Sequence, residues 1–147
     1  MKTVFDKTTR DELIERISKL NESSTALWGK MHVSQMMKHC TKVDEMCLGK
    51  KKYKQSLIGK LFGKLALKGM LKDEPMKKNL PAVPSFRIKE SNIDITAERK
   101  KWIELIKEYE HFPGPDFVHP FFGRMSKEQT GYWSYKHTDH HLRQFNA

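Results

Sequence analysis

The chain has no run approaching the roughly 20 consecutive apolar residues that span a bilayer, so no transmembrane helix is expected. It has only two cysteines, Cys40 and Cys47. On one helix their separation amounts to about two turns and roughly 10 Å of rise, too far for a disulfide. They read as small buried apolar side chains in a reducing compartment. Met1 to Arg10 is polar and charged, unlike a secretory signal, so a cytoplasmic location is the expectation. Acidic residues are in deficit, 18 Asp and Glu against 28 Lys and Arg, for a net charge of +10. The deficit is local: ten lysines between positions 50 and 78 face only Asp73 and Glu74, and the rest of the chain is nearly balanced. Zinc-finger spacing, a recognition-helix signature and paired stacking aromatics are all missing, so no nucleic-acid partner is expected.

The 147 residues suit one domain, 1–147, and 37% hydrophobic with 31% charged residues suits a folded chain with a heavily solvated surface. Eight Phe, three Trp and four Tyr supply the burial that offsets ordering entropy. Four segments carry helical periodicity. Leu13, Ile14, Ile17 and Leu20 stripe a first helix from about Thr9 to Leu20. After an Asn-Glu-Ser-Ser loop, a second helix begins near His32, with Gln35 placed to reach back to its start, and ends at Gly49, a natural C′ residue. Its stripe of Val33, Met36, Cys40, Val43 and Cys47 turns His39 toward the core side. A third runs from Asp94 or Thr96 to Tyr109 on Trp102, Ile103 and Ile106. The fourth starts at the Ser126/Gln129 capping box and continues to Phe145. Proline-rich connections occupy 79–84 and 111–123. The fold class expected is all-α, a four-helix bundle with an inserted amphipathic helix between its second and third helices.

That inserted segment carries Leu57, Ile58, Leu61, Phe62, Leu65 and Leu67 in helical rhythm, broken by Gly59, Gly63 and Gly69. Each mid-helix glycine costs about 1 kcal/mol relative to alanine, so this helix needs tertiary contacts. It resembles a basic membrane-surface helix, but the favoured expectation is that its Leu and Phe side chains pack on the bundle while the lysines face water. On that reading no membrane partner is expected.

His137 and His141, four residues apart, share one face of the last helix about one turn apart and can grip one cation from a rigid platform. A third ligand must come from another helix, and His39 is the only histidine on a buried stripe elsewhere. Three neutral imidazoles suit zinc, nickel or another first-row divalent ion and leave positions open for water or substrate. His140 also has a ligand spacing, but His141 shares the stripe of Ser134 and Phe145, whereas His140 is turned about 100° away.

Three blocks of sequence resemble one known family. They are Trp28-Gly-Lys-Met31 leading into Gln35-Met-Met-Lys-His39; His119-Pro-Phe-Phe-Gly123 followed by Met125-Ser126, Glu128-Gln129 and Gly131; and Tyr135-Lys-His137-Thr-Asp-His140-His141-Leu-Arg-Gln144-Phe145. The chain resembles the DinB-like superfamily of four-helix bundles, in its DUF1569-type branch. His32 departs from the pattern, where a Ser or Thr cap is expected. The resemblance implies a divalent metal held by a histidine of the second bundle helix and a His-x3-His pair of the last, here His39, His137 and His141. It also implies thiol chemistry: metal-binding members include transferases that join a low-molecular-weight thiol to an electrophile, and thiol-dependent isomerases. The partners expected are thus a small-molecule substrate, a thiol among the candidates, with a homodimer left open. A non-enzymatic ligand- or partner-binding domain is the alternative. Trp133, Phe121 and Phe122 read as core packing before pocket wall, His119 as loop packing, and Gln35 and Gln144 as residues that orient the ligands. No catalytic side chain stands out.

Overall fold

A computed structural model describes all 147 residues. It contains α1 (Lys7–Ser18), α2 (Val33–Cys47), α3 (Leu57–Met70), α4 (Ile95–Glu108) and α5 (Lys127–Gln144). Short 3-10 turns stand at Pro84–Phe86 and Tyr109–His111. There is no strand; the one β-bridge, His119 to Gly123, closes a tight loop ahead of α5. Helix starts follow local chemistry. The Ser126 hydroxyl accepts from the Gln129 N–H and the Gln129 side chain accepts from the Ser126 N–H, satisfying two donors that the helix cannot. Asp94 caps α4 through the Ala97 N–H. The helix carrying His39 starts at Val33, with the exposed His32 as its N-cap and the His32 N–H donating to Gln35 Oε1 at 3.1 Å. Gly49 ends it at φ +73°, in the left-handed region that favours glycine.

α2 and α1 each pack against both α4 and α5, so the helices run α1, α4, α2, α5 around a four-membered ring. Leu13, Ile17, Met36, Met37, Cys40, Met46, Trp102, Ile106 and Leu142 fill the middle. Both cysteines are buried and free, as their spacing requires. One polar group crosses this core. Asp44 on α2 is 2% exposed; its carboxylate accepts from Trp102 Nε1–H at 2.9 Å and Tyr109 O–H at 2.8 Å. The Ser134 hydroxyl of α5 lies 3.2 Å from that of Tyr109, tying three helices together.

α3 forms where the sequence places it, capped by the Ser56 hydroxyl accepting from the Gly59 N–H. Its packing corrects the expectation. The buried positions are Gly59, Gly63 and Leu67, while Leu57, Ile58, Leu61, Phe62 and Leu65 are exposed. The two glycines let the helix lie directly on backbone: a Cβ would stand 2.5 Å from the Phe121 carbonyl oxygen at Gly59 and 2.1 Å at Gly63. The helix is therefore anchored by the close approach at its two glycines and by the buried Leu67, while five of its large apolar side chains are turned outward.

Gly63→Ala should therefore destabilise the protein in a urea titration, because a methyl group forced against rigid backbone costs about 1–3 kcal/mol, more than the ~1 kcal/mol gained in helix propensity. At Gly69 nothing lies within 4 Å of a Cβ. Gly69→Ala is expected to be stabilising, by up to ~1 kcal/mol. Equal effects at the two sites would refute the close-approach account.

Candidate metal centre

His39 projects from the middle of α2, and His137 and His141 from adjacent turns of α5, across the α2–α5 contact of the ring. One ring nitrogen from each lies within 4.8 Å of the others. The Nε2 atoms of His39 and His137 are 3.0 Å apart. Two imidazole nitrogens on one tetrahedral zinc stand roughly 3.3 Å apart, from Zn–N bonds of about 2.0–2.1 Å. The gap between these two thus needs only a few tenths of an ångström of adjustment.

The outer nitrogens decide which lone pairs face inward. The Phe86 carbonyl can only accept, so His39 Nδ1 donates to it at 2.9 Å and Nε2 keeps its lone pair. On the other helix, Gln144 Nε2–H donates to the Trp28 carbonyl at 2.7 Å. That contact orients the amide, whose Oε1 accepts from His141 Nδ1–H at 2.8 Å. His141 Nε2 is therefore also a lone-pair donor. His137 is held by stacking on Trp133, with centroids 5.1 Å apart and planes 25° from parallel. The three rings are 5%, 7% and 7% exposed. Burial lowers the pKa of all three, that of His141 to about 3, with the neighbouring imidazoles pushing His137 and His141 further in the same direction. The donor set is thus neutral, converging and oriented from behind, which fits a divalent cation.

The three histidines singled out by spacing do come together. His140 is turned away as expected, edge-on to Trp28 and His141. His119 packs its loop: Nδ1 accepts from the Phe121 and Phe122 N–H groups at 3.1 and 3.0 Å, and the ring stacks on Phe122. Gln144 orients His141, whereas Gln35 touches none of the three histidines; it caps α2 and donates to the Glu90 carbonyl. The partner of His39 is instead the Phe86 carbonyl, which sequence reasoning missed because every residue carries the same backbone acceptor. Asp44 was missed too, although it stands four residues after Cys40, in line with the buried stripe. Two surface clefts, one beside Asp73, Tyr135 and Asp139 and one beside Glu22, Lys30 and Phe145, both lie away from the histidines.

The sequence profile of one family, described as a protein of unknown function (DUF1569), matches residues 2–147. The ring of four helices agrees with the DinB-like bundle that such a domain is expected to adopt. No curated protein and no solved structure matches the chain.

Proposed function

We propose that the chain, which belongs to the DUF1569 family, holds one divalent metal ion, zinc or nickel, on His39, His137 and His141, and uses it to activate a small thiol for transfer to an electrophile. The observation that carries this reading is the convergence of three buried ring nitrogens, two with their lone pairs turned inward by partners on the far side. When bound, the ion supplies Lewis acidity that lowers the pKa of a thiol or water in its open position. The chain's own residues do the rest. The Phe86 carbonyl and Gln144 amide fix the tautomers and ring planes and raise ligand basicity. Trp133 and Phe122 exclude water from the His137 side. Because no carboxylate belongs to the donor set, the ion's full charge is left to favour an anionic ligand such as a thiolate.

The near-complete burial of the three rings favours a second reading, in which the same metal serves a domain that binds a ligand or partner without turnover. Protein purified without a histidine tag and loaded with cobalt(II) separates the two. A thiolate-to-cobalt absorption band on adding a small thiol, missing in the His141→Ala variant, supports thiol activation; an unchanged spectrum supports the second reading. Metal analysis of the same preparation tests the site itself. Gln144→Ala is expected to weaken metal binding about 10–100-fold in a competitive chelator titration, by releasing the His141 tautomer. Gln35→Ala should leave the affinity unchanged.

A further inference from the structure

We propose that the outward face of α3 docks the protein reversibly on an anionic lipid surface. Leu57, Ile58, Leu61, Phe62 and Leu65 are 78%, 65%, 77%, 57% and 74% exposed. At about 100° per residue they share one sector of roughly 140° on the helix. Only three other large apolar side chains are comparably exposed, Met1, Leu27 and Leu80, and they are scattered. A contiguous apolar face of this kind marks an interaction surface rather than ordinary surface composition. The face is also held outward by construction, because Gly59 and Gly63 are the only residues of their face that can lie on the 121–122 backbone. Rolling α3 to bury its leucines would drive those side chains into that backbone.

Charge identifies the occupant. Lys60, Lys64 and Lys68 recur every four residues in a row that crosses one edge of the apolar sector. Of the ten lysines between 50 and 78, only Lys50 and Lys51 are in ion pairs, with Glu108 and Glu45. The helix therefore offers a hydrophobic face bordered by uncompensated positive charge. A second copy of the chain would bring two such surfaces into repulsion. A peptide needs a groove between elements, and α3 makes no substantial contact with any other helix, so its face is convex and ungrooved. A bilayer surface accepts a convex face: apolar side chains sink about 5–10 Å, and lysines stay among negative headgroups. No helix of the protein is long and apolar enough to cross a membrane, so the association is interfacial.

The test is co-sedimentation of the full chain with vesicles of phosphatidylcholine alone and of phosphatidylcholine mixed with phosphatidylserine. Binding is expected only to the mixed vesicles, and it should weaken as salt is raised. The Leu61→Asp/Phe62→Asp variant should lose binding while keeping its circular dichroism and melting temperature, since both side chains are already in water. Lys60→Gln/Lys64→Gln/Lys68→Gln should bind roughly a hundredfold more weakly, at about a fivefold loss per lysine. Leu27→Asp, at an equally exposed position outside α3, should bind as the wild type does. The proposal is overturned if the wild-type protein fails to bind mixed vesicles at low salt, or binds the neutral vesicles as well. It is equally overturned if Leu27→Asp loses as much as the α3 variant, or if the wild type stays off vesicles and forms a dimer that Leu61→Asp/Phe62→Asp dissociates.

Discussion

Alanine at His39, His137 or His141 is expected to lower divalent-metal occupancy by at least a hundredfold in affinity, more than the 10–100-fold typical of losing a residue that merely orients a ligand. The same change at His140 or at the exposed His111 should do little, because neither nitrogen set reaches the triad. In the wild type, metal at about a thousand times its Kd adds about 4 kcal/mol of stability. For a domain of this size that raises Tm by roughly 10 °C. The triple alanine variant should show no rise. The pH dependence follows from burial. An imidazole whose folded pKa lies below its unfolded value leaves the unfolded chain binding more protons between the two values. Stability is therefore lost as pH falls from about 6.5, the ordinary histidine value, toward the value of about 3 for His141. Metal release has the same sign, since protons compete for the same lone pairs. Full occupancy in His39→Ala with loss in His140→Ala would mean that a different pair of rings holds the ion.

Asp44→Ala should be among the most destabilising single changes outside the histidine triad. It removes the acceptor of two buried donors, Trp102 Nε1–H and Tyr109 O–H, whose desolvation then goes uncompensated. At about 1–3 kcal/mol per donor, the loss is a large share of a typical domain's 5–15 kcal/mol. The carboxyl also carries a pH signature. Burial raises its pKa to about 7, against the opposing pull of the Tyr109 and Trp102 hydrogen bonds. Folded protein thus keeps a proton that the unfolded chain has released above its ordinary value of 3.8. This contribution, a few kcal/mol at most, is fully present below that value and is lost as pH rises through about 7. Asp44→Asn cannot ionise and retains one acceptor oxygen. Its deficit relative to wild type, measured by urea denaturation, should therefore be larger at about pH 5 than at about pH 8. An equal deficit at both would show that Asp44 does not change its protonation on folding.

The bundle and the three histidines were readable in the sequence because each rests on a periodic signal. The i, i+4 pair on a capped helix and a histidine turned toward an apolar stripe are statements about helical geometry, and packing the helices leaves them intact. What lay outside that signal was missed or reversed. The Phe86 carbonyl behind His39 comes from a proline-rich connection with no periodicity. Gln35 shares His39's helix, one turn away, but the free N–H at the start of α2 captured it first. Asp44 stands in line with the buried stripe, but helical spacing cannot show the two aromatic donors, from α4 and the turn after it, that converge on it. In α3, periodicity identified an apolar face but could not say that the glycines on another face would come closer to the backbone of a neighbouring loop than any leucine could.

The ring order of the helices gives the histidine contact a topological meaning. His39 and His137 are 98 positions apart in the chain, so an ion joining them closes a loop over most of the molecule, as a disulfide would in a chain where neither cysteine can form one. A cross-link of that span removes conformational freedom from the unfolded ensemble worth roughly 4–5 kcal/mol in the chain-entropy description. An ion bound by the triad would thus be a reversible staple, one that a chelator could open without reducing a bond.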